Sequence, residues 1–177
     1  PISWSSPAQI LEKIITYESV HEIKNWDDLR RRLQPDDRRC FAFFHPAMPD
    51  EPLIFVEVAL TEGTPDSIQK ILLEGRNVIG AENADTAAFY SISNCQTGLA
   101  GISFGNSLIK TVVQHLLREL PQIRNFVTLS PIPGLVKWLN ETGLFDANAN
   151  SEKQSLWNRT GPKGRGALCL CPNHEGT

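Results

Sequence analysis

The stretch best suited to chemistry is Cys95-Gln96-Thr97-Gly98-Leu99-Ala100-Gly101-Ile102-Ser103-Phe104-Gly105-Asn106. It follows a run, Thr86 to Ser93, that reads as a strand, and it leads into a helix. A strand, a glycine-bearing loop and a helix start together aim free backbone N–H groups and the positive end of the helix dipole at one point. A phosphate or pyrophosphate needs such a point, and glycines there let an anion come close to the backbone. Glycines also open helices for packing alone. The patterns G-x-x-x-x-G-K-[ST] and G-x-G-x-x-G are both unmet, so nucleotide sites of those two kinds are disfavoured.

Other reactive side chains read more plainly. His45 ends a strand beside Pro46, His21 sits in a connection, and His115 faces away from the apolar stripe of its helix. Cys169-x-Cys171 with His174 offers three zinc ligands at an unusual spacing where a structural site wants four, so no metal is expected. Asp36, Asp37 and Glu57 are lone carboxylates with no partner at a recognisable spacing, so surface or strand-edge places are expected of them, and the run Arg30 to Arg32 reads as a solvated helix face. Ser130, taken by itself, caps the turn before Pro131.

These residues need elements to hold them. Ser6 and Pro7 signal a helix start, and Ile10, Leu11, Ile14 and Ile15 share one face of a helix over about 7–18. Asn25 caps a short second helix. Cys40 to His45 and Leu53 to Leu60 read as an antiparallel hairpin across the proline-rich segment 46–52. Thr64-Pro65 opens a helical stripe of Ile68, Ile71 and Leu72 that ends near Gly75. Leu108, Ile109, Val112, Val113, Leu116, Leu117 and Leu120 line one broad side of the helix Asn106 to Leu120, which would pack on a sheet. Asn125 to Ser130 is a fourth strand, Pro131 to Gly134 turns the chain, and a helical run follows around Leu135 to Leu139. After Gly143 the pattern fades.

The chain has 177 residues, 41% of them apolar and 21% charged, with a net charge of −3. That composition belongs to a folded domain, and it excludes general attraction to nucleic acid. The apolar runs are far too short for a membrane span. Four cysteines without a secretory leader suit a reducing compartment. A first residue Pro1 suits a segment of a longer chain.

Several stretches, taken in order over about 1–139, resemble the malonyl-CoA decarboxylases. They are Ile2-Ser3-Trp4, Val20-His21 through Trp26-x-Asp28-Leu29, Glu51-Pro52-Leu53-Ile54 with Val58-Ala59-Leu60-Thr61, Phe89-Tyr90-Ser91-Ile92-Ser93, Gly98-Leu99-x-Gly101 with Leu108-Ile109-Lys110, and Leu129-Ser130-Pro131-Ile132-Pro133-Gly134. The resemblance implies an α/β fold like that of the GCN5-related N-acetyltransferases, a mixed sheet with flanking helices. It further implies that Ala100, Gly101, Ile102, Ser103, Phe104, Gly105 and Asn106 cradle the coenzyme A pyrophosphate and that Ser130 is the catalytic serine. The activity so implied is decarboxylation of malonyl-CoA to acetyl-CoA, with no cofactor beyond the coenzyme A of the substrate.

The family also uses a proton-donating histidine in an Asn-Phe-His-Leu-x-Asn-Gly context. That context is absent here, so the role is not transferred to His174. The expected organisation is a partial catalytic domain over 1–142 and a divergent, poorly packed tail over 143–177. A homo-oligomer is expected of the full-length family protein, in the cytoplasm, or in mitochondria or peroxisomes if eukaryotic. An acyl-CoA acyltransferase and a non-catalytic acyl-CoA-binding fragment are the alternatives.

Overall fold

The computed structural model describes residues 1–99, 102, 104–131, 134–135, 137–138 and 168–169. Helix α1 spans Ala8–Tyr17 and α2 spans Trp26–Leu33. The start of α1 differs from expectation by one residue. Pro7 is extended (φ −51°, ψ 136°) and its carbonyl receives the Ile10 and Leu11 amides, while the Ser6 hydroxyl accepts from the Ser3 amide at 3.0 Å. Asn25 caps α2 as expected: its side-chain oxygen accepts the Asp28 amide at 2.9 Å. Asp28 in turn accepts from the Lys24 amide at 3.2 Å, so the helix entrance is tied from both sides. Asn25→Ala should therefore lower unfolding free energy by about 1 kcal/mol, measured by urea denaturation. An unchanged midpoint would mean the cap contributes nothing.

Strands β1 (Arg38–His45) and β2 (Met48–Thr61) form the antiparallel hairpin, aligned from Arg38 opposite Ala59 to Phe43 opposite Ile54. The proline-rich segment does not interrupt pairing as completely as expected. Pro49 and Pro52 lie inside β2, where the register shifts twice and the ladder tolerates missing donors. After α3 (Ile68–Leu72) and a single 3-10 turn at Ala81–Asn83 comes β3 (Thr86–Asn94), antiparallel to β2. Helix α4 (Phe104–Glu119) then returns the chain so that β4 (Asn125–Ser130) lies parallel to β3. Only a crossover of this kind can set two consecutive strands parallel. The two-residue β5, Leu168–Cys169, adds to the outer edge of β4, in a stretch whose residues show no periodicity that would mark an element. The strand order is β1-β2-β3-β4-β5.

Alternation along β2 sorts the core. Ile54, Val56, Val58 and Leu60 face α4 and meet Leu108, Val112 and Leu116. On the other face Phe55 packs with Leu11, Ile14, Leu29 and Leu33 of α1 and α2, and Ala59 packs with Tyr90, Val127, Leu129 and the two isoleucines of α3. The apolar stripe of α4 is narrower than its sequence suggests, because Leu117 is 46% exposed. It stands about 100° around the helix from the buried Leu116.

No helix of the described residues is long and apolar enough to cross a membrane. Of the expected tail, 143–167 and 170–177 lie outside the described residues, as do Cys171 and His174 of the three-ligand set.

Candidate functional site

The ladder between β3 and β4 is short. It pairs Thr86, Ala87, Ala88 and Phe89 with Asn125, Phe126, Val127 and Thr128, and there it stops. Beside the stop, β2 and β3 carry an irregularity: Glu57 pairs with Ser91 and Val58 with Phe89, which leaves Tyr90 as the extra residue of a β-bulge. Past Tyr90, β3 continues to Asn94 without pairing to β4, and Leu129 and Ser130 turn to β5 instead. Two parallel strands thus part at their carboxyl ends, the place where open α/β sheets take ligands.

Topology brings the expected groups to this end. The chain leaves β3 here and α4 starts here before running back along the sheet, so the first turn of α4 and the tip of β4 share one end. Phe104, Gly105 and Asn106 form that first turn; the Phe104 amide donates to the Ile102 carbonyl at 2.8 Å and the Ile102 amide to the Leu99 carbonyl at 3.0 Å, while those of Gly105 and Asn106 have no partner within the helix. Ile102 precedes it and is 52% exposed. Ala100, Gly101 and Ser103 lie outside the described residues. Ser130 is exposed at the last position of β4. Strand alternation sets it on the side of Phe126, which packs against the α4 face, whereas Val127 and Leu129 point into the opposite layer.

The glycines can now be weighed. Among described glycines only Gly63 and Gly134 have positive φ. A methyl group at Gly105 would meet Ile92 and Ile54 at 3.6 and 3.8 Å, an ordinary contact, and one at Gly98 would meet nothing within 4 Å. Neither position needs glycine for its backbone or its packing, so the backbone at both is open to close approach by another molecule.

A buried polar layer lies beneath the bulge, on the α1 and α2 face, and it corrects three expectations. Arg32 is not solvated and Glu57 is not a surface carboxylate. They are 4% and 0% exposed and paired, with Arg32 Nη1 at 3.2 Å from Glu57 Oε2. Arg32 also donates to the carbonyls of His21 (2.8 Å) and Glu22 (3.0 Å) and pairs with Asp28. Burial pushes the Glu57 carboxyl up to about 7, opposed by Arg32. Burial also works to lower the Arg32 value, but Glu57 leads the neighbours that carry it above the ordinary one. Asp37, expected at the surface, is 2% exposed and held by Arg76 (Nη2 to Oδ1, 2.8 Å) and Arg38. Arg38 then donates to the Ile71 carbonyl, which fastens α3 to β1.

Glu18, the C-cap of α1, completes the layer. Its carboxylate accepts the Ser91 hydroxyl at 2.8 and 2.7 Å and the amides of Val20 and His21, each at 2.8 Å. The buried thiols are poor nucleophiles: burial pushes Cys95 up to about 12 and Cys40 well above its usual range. Of the other histidines, His45 is exposed at the hairpin turn, and His115 packs edge-on against Phe41 with its ring 3.4 Å from Glu119.

Comparison with known proteins bears on the family and the fold. Residues 1–159 match the family model described as the malonyl-CoA decarboxylase C-terminal domain. The chain is 46% identical over 165 residues to the mitochondrial malonyl-CoA decarboxylase of Anser anser anser, covering 88% of this chain and 32% of that one. The crystal structure of malonyl-CoA decarboxylase from Agrobacterium vitis superimposes with a TM-score of 0.77 at 55% identity, over 92% of this chain and 40% of the other. The loading GNATL domain of CurA from Lyngbya majuscula shares the fold at a TM-score of 0.51 and 13% identity, over 72% of this chain and 63% of that domain. The chain therefore spans about a third of its curated relative, and its fold is that of the acetyltransferase-like domains. It belongs to the malonyl-CoA decarboxylase family.

Proposed function

We propose that this chain binds malonyl-CoA at the parted ends of β3 and β4 and converts it to acetyl-CoA and carbon dioxide. The observation that carries the reading is the convergence, at one end of the sheet, of the first turn of α4 and the exposed Ser130 of β4. It is supported by family membership and by glycines that neither packing nor backbone requires.

In this reading the segment Ala100, Gly101, Ile102, Ser103, Phe104, Gly105 and Asn106 holds the coenzyme A pyrophosphate, on those amides not already bonded to Leu99 and Ile102 carbonyls and on the helix dipole. Ser130 hydrogen-bonds the malonyl group and fixes its carboxylate out of the plane of the thioester carbonyl. The C–C bond then lies along the π system, and its electrons flow into the carbonyl as carbon dioxide leaves. The resulting thioester enolate takes up one proton to give acetyl-CoA. No cofactor enters beyond the coenzyme A of the substrate. A reducing compartment fits, whether cytoplasm, mitochondrion or peroxisome, given two buried free thiols at Cys40 and Cys95 and relatives named mitochondrial.

Incubation with malonyl-CoA in the presence of candidate amines tests the reading. Acetyl-CoA and carbon dioxide in equal amounts are expected. An acylated amine would make the protein an acyltransferase, and calorimetric binding of coenzyme A without gas release would make it a binding module.

A further inference from the structure

The buried layer on the α1 and α2 face is larger than packing requires. An apolar interior would be at least as stable, and Arg32 Nε, Glu57 Oε1 and the Tyr90 hydroxyl go without a hydrogen-bond partner among the described residues, so the polar cluster calls for another reason. Its arrangement supplies one. The connection between α1 and α2 is pinned from both of its polar sides: Glu18 receives the amides of Val20 and His21, and Arg32 donates to the carbonyls of His21 and Glu22. The same Glu18 carboxylate receives Ser91, the residue next to the bulge, and Ser93 at 3.4 Å, while Ser93 accepts the Ser19 amide at 3.2 Å. The His21 ring lies over Tyr90, the extra residue of the bulge, with centroids 6.4 Å apart. All these ties meet where β3 parts from β4.

We propose that Glu18 is a positioning residue for the acyl end of the substrate site: from the face opposite Ser130 it clamps the α1–α2 connection to the bulged segment Tyr90–Ser91 and so fixes the β3 edge of the opening in which the malonyl group is oriented. The inference rests on the decarboxylase reading given above. Bulges re-aim strands beside active sites, and a bulge with a missing ladder on one flank needs a tie on another. Four donors here, the Val20 and His21 amides and the Ser91 and Ser93 hydroxyls, run to a single carboxylate. Glu18 touches no reacting atom in this scheme. A displacement of the bulged segment by an ångström would suffice to misalign the breaking bond.

The test uses the full chain and its Glu18→Ala, Glu18→Gln and Ser91→Ala variants, with Phe41→Leu as a control of reduced stability on the opposite face. Expected for Glu18→Ala is a kcat lower by about 100-fold with coenzyme A affinity within about twofold of the parent. Glu18→Gln, which keeps an acceptor for the two amides and a polar partner for Ser91, should recover most of that loss. Phe41→Leu should keep kcat. If Glu18→Ala does not fold, Ser91→Ala carries the test with an expected loss of about tenfold. A Glu18→Ala variant, or failing that Ser91→Ala, that is destabilised yet retains full kcat overturns the inference and leaves the decarboxylase reading standing. A parent chain that binds coenzyme A but releases no carbon dioxide overturns that reading, and the inference with it.

Discussion

The Ser130→Ala variant should turn over malonyl-CoA about 100-fold more slowly than the parent, the loss expected when the breaking bond is no longer held in line with the carbonyl π system. Its affinity for coenzyme A should barely change. The two effects separate because the groups sit on different elements: Ser130 ends β4, whereas the proposed pyrophosphate amides belong to 100–106 and the first turn of α4. Stability should also hold to within about 0.5 kcal/mol, since the side chain is exposed. Steady-state release of labelled carbon dioxide, calorimetric binding and urea unfolding measure the three quantities. Unchanged turnover would remove Ser130 from the chemistry, and turnover and affinity falling together would move it into the binding of coenzyme A.

How far the sequence foretold this arrangement depends on the range of the interactions involved. Helix α4 and strand β4 were legible because their signals are local: a repeat of apolar residues ending at Pro121, and a short apolar run ending at Pro131. The candidate anion site was legible for the same reason, as strand, glycines and helix start follow one another directly. Ser130 carried no local signal beyond that of a turn cap, and only the family resemblance marked it. The buried layer escaped because its partners are far apart in sequence. Arg32 and Glu57 are 25 residues apart, and Glu18 and Ser91 are 73. Two hints were nevertheless present. Arg32 lies between Leu29 and Leu33, on the stripe that α2 buries, and Glu57 interrupts an apolar run that a two-sided strand must bury. A buried carboxylate demands a cation, and the arginine run held the available one. The bulge at Tyr90 had no such hint, for no glycine or proline marks it, and it arises from how β2 and β3 align.

The second large effect concerns that buried pair. Arg32→Leu should cost about 3–5 kcal/mol of unfolding free energy near pH 8, where the wholly buried Glu57 must either stay charged without its cation or take up a proton that the parent has released. It also frees the carbonyls of His21 and Glu22, which adds to the loss. The penalty should shrink toward pH 5, because Glu57 can then take up a proton and the uncompensated charge disappears. The parent itself should show a related slope. Burial raises Glu57 from its usual 4.5 to about 7, so the folded state holds a proton that the unfolded state has released between those values. Stability from this group is then fullest below about pH 4.5 and falls as pH rises to 7, by at most about 3 kcal/mol. Glu57→Gln removes the titrating group and keeps the shape, so its stability should change less than the parent's between pH 5 and 8. Urea unfolding of the three proteins at both pH values decides the matter. A parallel slope in Glu57→Gln would place the titration elsewhere, and an Arg32→Leu penalty that does not depend on pH would mean that Glu57 stays charged or stays neutral throughout.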